Sequence, residues 1–528
     1  MEIEFKFGVP QEKLAALERE LKSGESNRKP LQARYFDTAD AALAAHGVVL
    51  RLRREGTQWV QTAKAVVAGQ GPLHRLEHNV VLDAGDAGPG AVPDPARHGD
   101  SPVGRLLQKA MGRSPAPLVE TMATDIWRLA RHDTVGGSTV ELALDVGEVT
   151  GGAPGAARAG SAVCELELEL VHGRVEDLVQ LAAQWAQRHG LWFSTLSKAE
   201  RGQRLAHGEP PGGFAVKASA PHFEGPGKAR RRPVGAVAVQ RAVLASCLTQ
   251  VLPNASEAAA GRADIEVVHQ LRVGLRRLRT ALRELETLTP PNGPRFDPAW
   301  APVLQGVFRA LGAQRDEAVV RAAIEPALDA AGAPTPVALP AKSASAVPSD
   351  PGAVVRSPAF QAALIGLIGF TAAEDNPAAE NADGLDNKGG ASGSSADAAR
   401  DPRHVLARRL SRLHHRVLRD GARFDSLAPD ERHRVRKRLK RLRDLAVFVG
   451  PLFGRKAALR YTDGLGRAQD ALGLYQDRVV ALAHYRQSSP EDTRAWFAVG
   501  WLTAQQPAVT RAAGKSLARL ARLDRFWK

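Results

Sequence analysis

Glu2-Ile3-Glu4-Phe5-Lys6-Phe7 opens the chain, and the reading of its first half turns on this strand. A strand has a side-chain period of two, so Glu2, Glu4 and Lys6 share one face and Ile3, Phe5 and Phe7 the other. Successive same-face residues lie roughly 7 Å apart, so two carboxylates and an ammonium form a row able to hold a cation and a polyanion together. The pattern returns downstream. Arg51 and Arg53 share a face in Leu50-Arg51-Leu52-Arg53, Thr62 and Lys64 in the next segment, then Arg75 and Glu77. Glu141 and Asp145 lie on one side of Val140 to Asp145, and Glu165, Glu167 and Glu169 alternate with Leu166, Leu168 and Leu170. One antiparallel sheet with a wet face also alternates, but it would mix Lys, Thr, Gln and Ser freely, whereas here Arg pairs and Glu pairs recur. A closed barrel with a charged interior, its apolar outer face covered by helices, accounts for this economically.

Gathered carboxylates repel one another unless a hard cation sits among them, and oxygen ligands select Mg²⁺ or Mn²⁺. Arginines and lysines on the other strands suit phosphate oxygens, Arg in bidentate fashion. The pattern therefore specifies a metal-bound, highly charged phosphate ligand. No Gly-x-x-x-x-Gly-Lys-Ser/Thr loop occurs, so a P-loop NTPase is unsupported.

At 528 residues the chain calls for at least two domains. Its 72 Lys and Arg against 57 Asp and Glu leave a net charge of +15, which favours an anionic partner. The two cysteines, Cys164 and Cys247, exclude a disulfide framework and point to a reducing compartment. The N-terminus carries no export signal, and the apolar stretch Ala359 to Ala373 is too short and too Gly-interrupted to span a bilayer. A cytoplasmic protein without a membrane partner is expected.

Residues 1–205 read as α+β, with helices beginning near Pro10 and spanning about Val175 to His189, the latter stopping at Gly190. Residues 206–233, with the basic run Lys228 to Arg232, read as a linker. Residues 234–528 are helical in period, interrupted at 331–402 by a Pro-, Gly-, Ser- and Ala-rich insert whose composition is that of disorder, apart from a short helix at Phe360 to Phe370.

The helical half is a duplication. His269, Arg272, Arg276 and Arg279 align without gaps on His433, Arg436, Lys440 and Arg443, an offset of 164 (433 − 269). Leu311-Gly312 to Asp316 answers Leu472-Gly473 to Asp477 at 161 (477 − 316). Two units, about 234–330 and 403–528, are expected. Each basic set follows steps of three and four, hence one stripe on a helix. A single basic stripe is usually a solvated face, but a duplicated one, with its histidine kept in place, needs an anion to relieve its repulsion. Aromatic residues are only 5% of the chain and are not interleaved with the stripe, which disfavours nucleic acid and favours a backbone-only polyanion.

The first half resembles the CYTH, or triphosphate tunnel metalloenzyme, family. The resemblance rests on Glu2-x-Glu4-x-Lys6, Arg34-Tyr35-Phe36-Asp37, Leu50-Arg51-Leu52-Arg53, Thr62-Ala63-Lys64, Trp127-Arg128, Asp145, Cys164-Glu165-Leu166-Glu167 and Leu196-Ser197-Lys198. It implies an eight-stranded antiparallel tunnel with flanking helices that binds triphosphate substrates with Mg²⁺ or Mn²⁺. Carried over by position, Glu2, Glu4, Asp145, Glu165 and Glu167 hold metal, while Lys6, Arg51, Arg53, Lys64, Arg75, Arg128 and Lys198 hold phosphates. Glu2, Glu4, Lys6 and Lys64 are the expected catalytic set. The second half resembles the CHAD domain, which implies an all-α duplicated bundle binding inorganic polyphosphate through His269, Arg272, Arg276, Arg279, His433, Arg436, Lys440 and Arg443. The expected activity is hydrolysis of inorganic triphosphate (tripolyphosphate) to pyrophosphate and phosphate. A class IV adenylate cyclase, a thiamine-triphosphatase and a non-catalytic polyphosphate-granule binding protein are the alternatives.

Overall fold

The structure, a computed structural model, describes residues 2–528 apart from 67–72, 84, 87, 89, 113–115, 153–156, 207–214, 224–233, 292, 313–323, 335–349, 374–400 and 491. Most of the expected linker and insert, the run Lys228 to Arg232 and Asp316 therefore lie outside the described residues. The chain divides into two compact units. The first takes in residues 1–217, 248–271 and 351–374, and the second residues 218–247, 272–350 and 375–528.

The first unit is built on an antiparallel sheet in the order β5-β4-β3-β2-β6-β7-β8-β1-β9, closed into an eight-stranded barrel by pairing of β5 with β1. The strands are β1 (Glu2–Gly8), β2 (Ser26–Thr38), β3 (Val48–Glu55), β4 (Gln58–Val66), β5 (His74–Leu82), β6 (Leu118–Val135), β7 (Ser138–Gly151), β8 (Ala159–His172) and the short β9 (Trp192–Phe193). The β6–β7 turn is Gly136-Gly137, with φ of 56° and 86°; two positive values in a two-residue hairpin suit only residues without a Cβ penalty.

The opening hexapeptide behaves as its alternation requires. Phe5 and Phe7 are fully buried on the outer face and pack edge-on against Phe193, with ring centroids 6.0 and 6.2 Å away. Leu142, Leu144, Leu166 and Leu168 are buried outside the barrel too. Helices flank that face, among them α1 (Leu14–Leu21), α2 (Pro102–Met111) and α3 (Val175–His189); α3 ends at Gly190 with φ 63°. The interior is not charged throughout. At one end, inward-facing Leu31, Ala33, Tyr35, Met122, Ile126, Val149 and Val163 pack with Ala199 and Leu205 of helix α4 (Lys198–Ala206), which fills that end with apolar side chains.

The C-terminal region is helical: α5 (Ala236–Ala259), α6 (Ile265–Leu285), α7 (Trp300–Ala310), α8 (Pro358–Ala372), α9 (Pro402–Gly421), α10 (Pro429–Val449), α11 (Arg455–Ser488) and α12 (Ala495–Arg519). The expected short helix at Phe360 to Phe370 is α8. Among the described residues, α5 rather than the stretch near Ala359 is the one helix long and apolar enough to cross a membrane. Its Val239, Val243, Leu244, Val251 and Leu252 are buried within the protein, and its buried amide nitrogens have acceptors: Gln240 Nε2 donates to Leu285 O at 3.0 Å and Gln250 Nε2 to Gln270 Oε1 at 2.9 Å.

The duplication has a structural axis. Thr280 and Asp444, equivalent at 164 (444 − 280), face each other with Thr280 Oγ1 3.4 Å from Asp444 Oδ2. Around them Arg277 lies 5.4 Å over the Phe448 ring, while its equivalent Arg441 meets Glu284, the equivalent of Phe448, at 3.3 Å. One pseudo-symmetric position thus holds an aromatic ring in one copy and a carboxylate in the other.

Candidate functional site

The barrel encloses a cavity of about 940 Å³. Antiparallel register brings the charged faces together: Lys6 opposite Glu167 and Glu4 opposite Glu169, Glu2 opposite Arg75, Lys64 opposite Glu77, Arg128 opposite Asp145, and Asp145 opposite Glu165. Nine lining side chains are basic (Lys6, Lys29, Arg51, Arg53, Lys64, Arg75, Arg128, Arg131, Lys198) and nine acidic (Glu2, Glu4, Glu25, Glu77, Glu141, Asp145, Glu167, Glu169, Glu200). Formal charge inside is therefore balanced.

The carboxylates fall into two groups. Asp145, Glu165 and Glu167 can each present an oxygen within 4.8 Å of the others. Lys198 Nζ sits among them, 2.7 Å from Asp145 and 3.0 Å from Glu167 and also bonded to Glu165, and Arg128 forks onto Asp145 at 2.6 and 2.7 Å and onto Glu167 at 2.5 Å. Burial would raise Glu167, but Lys198 and Arg128 hold it well below the carboxylate range. Against burial, the same carboxylates keep Lys198 and Arg128 firmly charged. Three hard oxygen donors around a lysine ammonium are a donor set that fits a divalent cation of the Mg²⁺ class.

The second group surrounds β1. Lys64 Nζ lies 3.0 Å from Glu2 and 2.5 Å from Glu77, and Arg75 meets Glu4 at 2.8 Å. Burial, aided by Glu4 and Glu77 against the pull of Lys64, raises Glu2 to about 8. Glu77 overcomes its burial through Lys64 and a hydrogen bond from Glu2 and falls to about 2, so of the two carboxyls Glu2 is the one pushed up and Glu77 the one pushed down. Burial raises Glu169 to about 6, with Glu4 and Glu141 adding to it and Lys64 opposing. Burial also draws Lys6 below its ordinary value, opposed by Glu165; its Nζ donates to Leu196 O at 2.6 Å.

Arg51 meets no carboxylate within salt-bridge distance among the described residues; it has the Tyr35 hydroxyl at 3.4 Å, and Arg53 pairs with Glu55 at the cavity edge. The Nε of each is buried without a hydrogen-bond partner, a costly condition that an anionic ligand relieves. Burial, then Arg51, lowers Arg53.

All the tunnel residues expected from sequence line this cavity except Glu165, which lies behind it, buried against Lys198. Glu2 and Glu4 stand in the β1 group rather than with the three clustered carboxylates. The sequence reading missed Lys29, Arg131, Asn79 and Tyr35 as lining residues. On β2 the inward face runs Lys29, Leu31, Ala33, Tyr35, and its mixed polarity conceals the periodicity that exposed the other strands.

In the helical region the basic stripes lie on α6 and α10. Arg272 donates to Phe308 O at 3.1 Å and stacks 4.6 Å over its ring. Arg276 meets Asp444 at 3.3 Å. Arg279 binds Gln305 and Arg443 binds Gln469, each at 3.3 Å. His433 meets Gln476 at 3.3 Å, and burial lowers its pKa. His269, Arg436 and Lys440 are half-buried. The two glutamines also differ by 164 (469 − 305), a signal within the repeat that sequence reading could have used.

Residues 1–203 match the family model for the CYTH domain, and residues 242–486 match that for the CHAD domain. Among solved structures, a CHAD domain from the plant Ricinus communis is 26% identical, covering 60% of this chain and 97% of its own, with a TM-score of 0.43. A Hippeastrum protein, described as a candidate adenylyl cyclase with a dominant triphosphatase activity, is 19% identical over 40% of this chain and 97% of its own, with a TM-score of 0.29. A protein of Pyrococcus horikoshii is 19% identical over 38% of this chain and 97% of its own, with a TM-score of 0.25.

Proposed function

Because the chain is a CYTH domain followed by a CHAD domain, we propose that it is a metal-dependent inorganic triphosphatase. It hydrolyses tripolyphosphate to pyrophosphate and phosphate in its tunnel, and its helical half binds inorganic polyphosphate.

The observation that carries this reading is the balanced cavity with two buried arginines whose Nε donors are orphaned. A triphosphate arriving alone meets as many carboxylates as cations. Asp145, Glu165 and Glu167 would hold a divalent ion accompanying the triphosphate, which would free Lys198 and Arg128 to turn onto phosphate oxygens. Arg51 and Arg53 bind the oxygens of one end of the phosphate chain; Lys6, Lys64 and Lys198 hold its length. The bound ion supplies charge neutralisation and polarisation of the phosphoryl oxygens. Glu4, opposite Glu169, is the carboxylate that orients the attacking water, and Glu2, whose burial favours the protonated form, can return a proton to the departing pyrophosphate. Charged side chains dominate the lining, with Tyr35 and His132 its aromatic rings among the described residues, which favours the plain inorganic substrate over one carrying a base.

In the helical half, like charges along α6 and α10 attract a polyanion through counterion release, which requires no metal. The test supplies purified protein with tripolyphosphate, ATP, thiamine triphosphate and long-chain polyphosphate, in Mg²⁺ and then in EDTA. Phosphate release preferentially from tripolyphosphate supports the reading. Cyclic AMP from ATP, preferential turnover of thiamine triphosphate, or binding without turnover overturns it.

A further inference from the structure

Lys198, the cation among the three carboxylates, sits at the end of a segment gripped from outside the barrel. β9 pairs with β1, Phe7 opposite Phe193 and Gly8 opposite Trp192, and it is the last strand of the sheet order. The outward N–H groups of such a strand have no ladder partner. Here side chains accept from them: Phe193 N–H donates to Gln361 Oε1 at 2.8 Å, and Thr195 N–H donates to Ser256 Oγ at 3.1 Å. Between them Ser194 N–H turns back to Lys6 O at 2.8 Å. Further along, Arg204 of α4 meets Glu257 at 2.9 Å, and Glu257 is braced by Arg262 at 2.7 Å.

The three acceptors are unusual for their surroundings. Gln361, Ser256 and Glu257 are 3%, 2% and 3% exposed. Gln361 stands in α8 among Phe360, Leu364, Ile365, Leu367 and Ile368, all fully buried, and its own Nε2 is fixed on Val355 O at 2.7 Å. α8 lies close to α3: a Cβ on Gly369 would come within 2.8 Å of Val179. A polar side chain is kept in so apolar a site only where it has a specific partner, and that partner is the backbone leading to Lys198. All three residues fall within the stretch matching the CHAD model, yet all belong to the compact unit that contains the tunnel.

We propose that Gln361, Ser256 and Glu257 are positioning residues for the tunnel. They fix segment 193–206 so that Lys198 Nζ is held among Asp145, Glu165 and Glu167, which makes phosphate-chain hydrolysis depend on side chains encoded far downstream of the barrel. This inference rests on the triphosphatase reading above. Hydrolysis is sensitive to displacements of about 1 Å at a charged group, so loosening the segment lowers turnover without unfolding the barrel.

The test uses the full chain carrying Gln361→Leu, Ser256→Ala or Gln361→Glu, the last keeping an acceptor for Phe193 N–H. Kinetics on tripolyphosphate are measured below the melting transition, alongside amide hydrogen exchange. Gln361→Leu is expected to lower kcat roughly tenfold to hundredfold with KM changed less than about threefold. Ser256→Ala gives a smaller loss of the same kind, and Gln361→Glu recovers most of the activity. The Phe193 and Thr195 amides exchange faster in the leucine and alanine variants respectively. Folded variants with wild-type kcat and wild-type exchange overturn the inference, and so does a lowered melting temperature with unchanged kcat. If the wild-type protein hydrolyses no tripolyphosphate, the activity reading fails by itself; the positioning contacts are then decided by exchange alone, and unchanged rates at both amides overturn them.

Discussion

The tunnel and the basic stripes of α6 and α10 both gather cations, but they compensate them differently. Inside the barrel, Lys64, Arg75, Arg128 and Lys198 each touch a carboxylate at 3.0 Å or less. Along the stripes, Arg272 leans on a carbonyl and a phenyl ring, and Arg279 and Arg443 meet side-chain amides. The first arrangement is formally neutral, whereas along the stripes Arg276 is paired with Asp444 and Arg279 and Arg443 meet neutral amides. The proposed function therefore predicts that a phosphate chain needs a metal in one region and none in the other.

The largest effect that can break this contrast is at Glu165. Glu165→Gln removes an acceptor from Lys198 and an oxygen from the clustered donors, and should lower kcat on tripolyphosphate at least roughly a hundredfold, about 3 kcal/mol. Polyphosphate retention by the same variant should be unchanged in a filter-binding assay. Loss of both activities in a folded variant would erase the division between regions.

The reciprocal change is Arg279→Ala with Arg443→Ala, which removes one equivalent cation from each repeat. Polyphosphate affinity should fall roughly tenfold and its dependence on salt should flatten, while tripolyphosphate turnover stays at wild-type level. An unaltered salt slope would remove the stripes from the binding surface.

A smaller, pH-dependent effect sharpens the picture of the barrel wall. His98 is fully buried, with its ring nitrogens 3.0 Å from Gln61 and 2.9 Å from His78; burial, then His78, lowers its pKa from 6.5 to about 4. Between those values the unfolded chain takes up a proton that the folded barrel refuses. Stability is thus intact above about pH 6.5 and declines toward pH 4, by roughly 3 kcal/mol. Denaturant unfolding across that window should show the decline, and His98→Gln should flatten it.

Much of the tunnel was legible because its strands carry charge at every second position, and a period of two maps directly onto faces. That rule recovered Glu2, Glu4, Lys6, Arg51, Arg53, Lys64 and, on β8, Glu167 and Glu169 as one lining. It failed on β2, whose inward face mixes Lys29 with Leu31, Ala33 and Tyr35 because α4 plugs that end with apolar contacts. The repeat was legible as a register of 164, and so in principle were Gln305 and Gln469. Gln361 was not: a lone amide in an apolar helix looks like noise until folding sets it against Phe193, 168 residues away. The separation of Glu2 and Glu4 from the Asp145 group likewise depends on barrel register, which no single strand reveals.

The most direct measurement is phosphate release from tripolyphosphate by the wild-type chain, with Mg²⁺ and with EDTA, while long-chain polyphosphate binding is followed in the same samples. The proposed function predicts hydrolysis only with the metal and polyphosphate binding in both conditions. Hydrolysis that persists in EDTA, or polyphosphate binding that disappears with the metal, would contradict it.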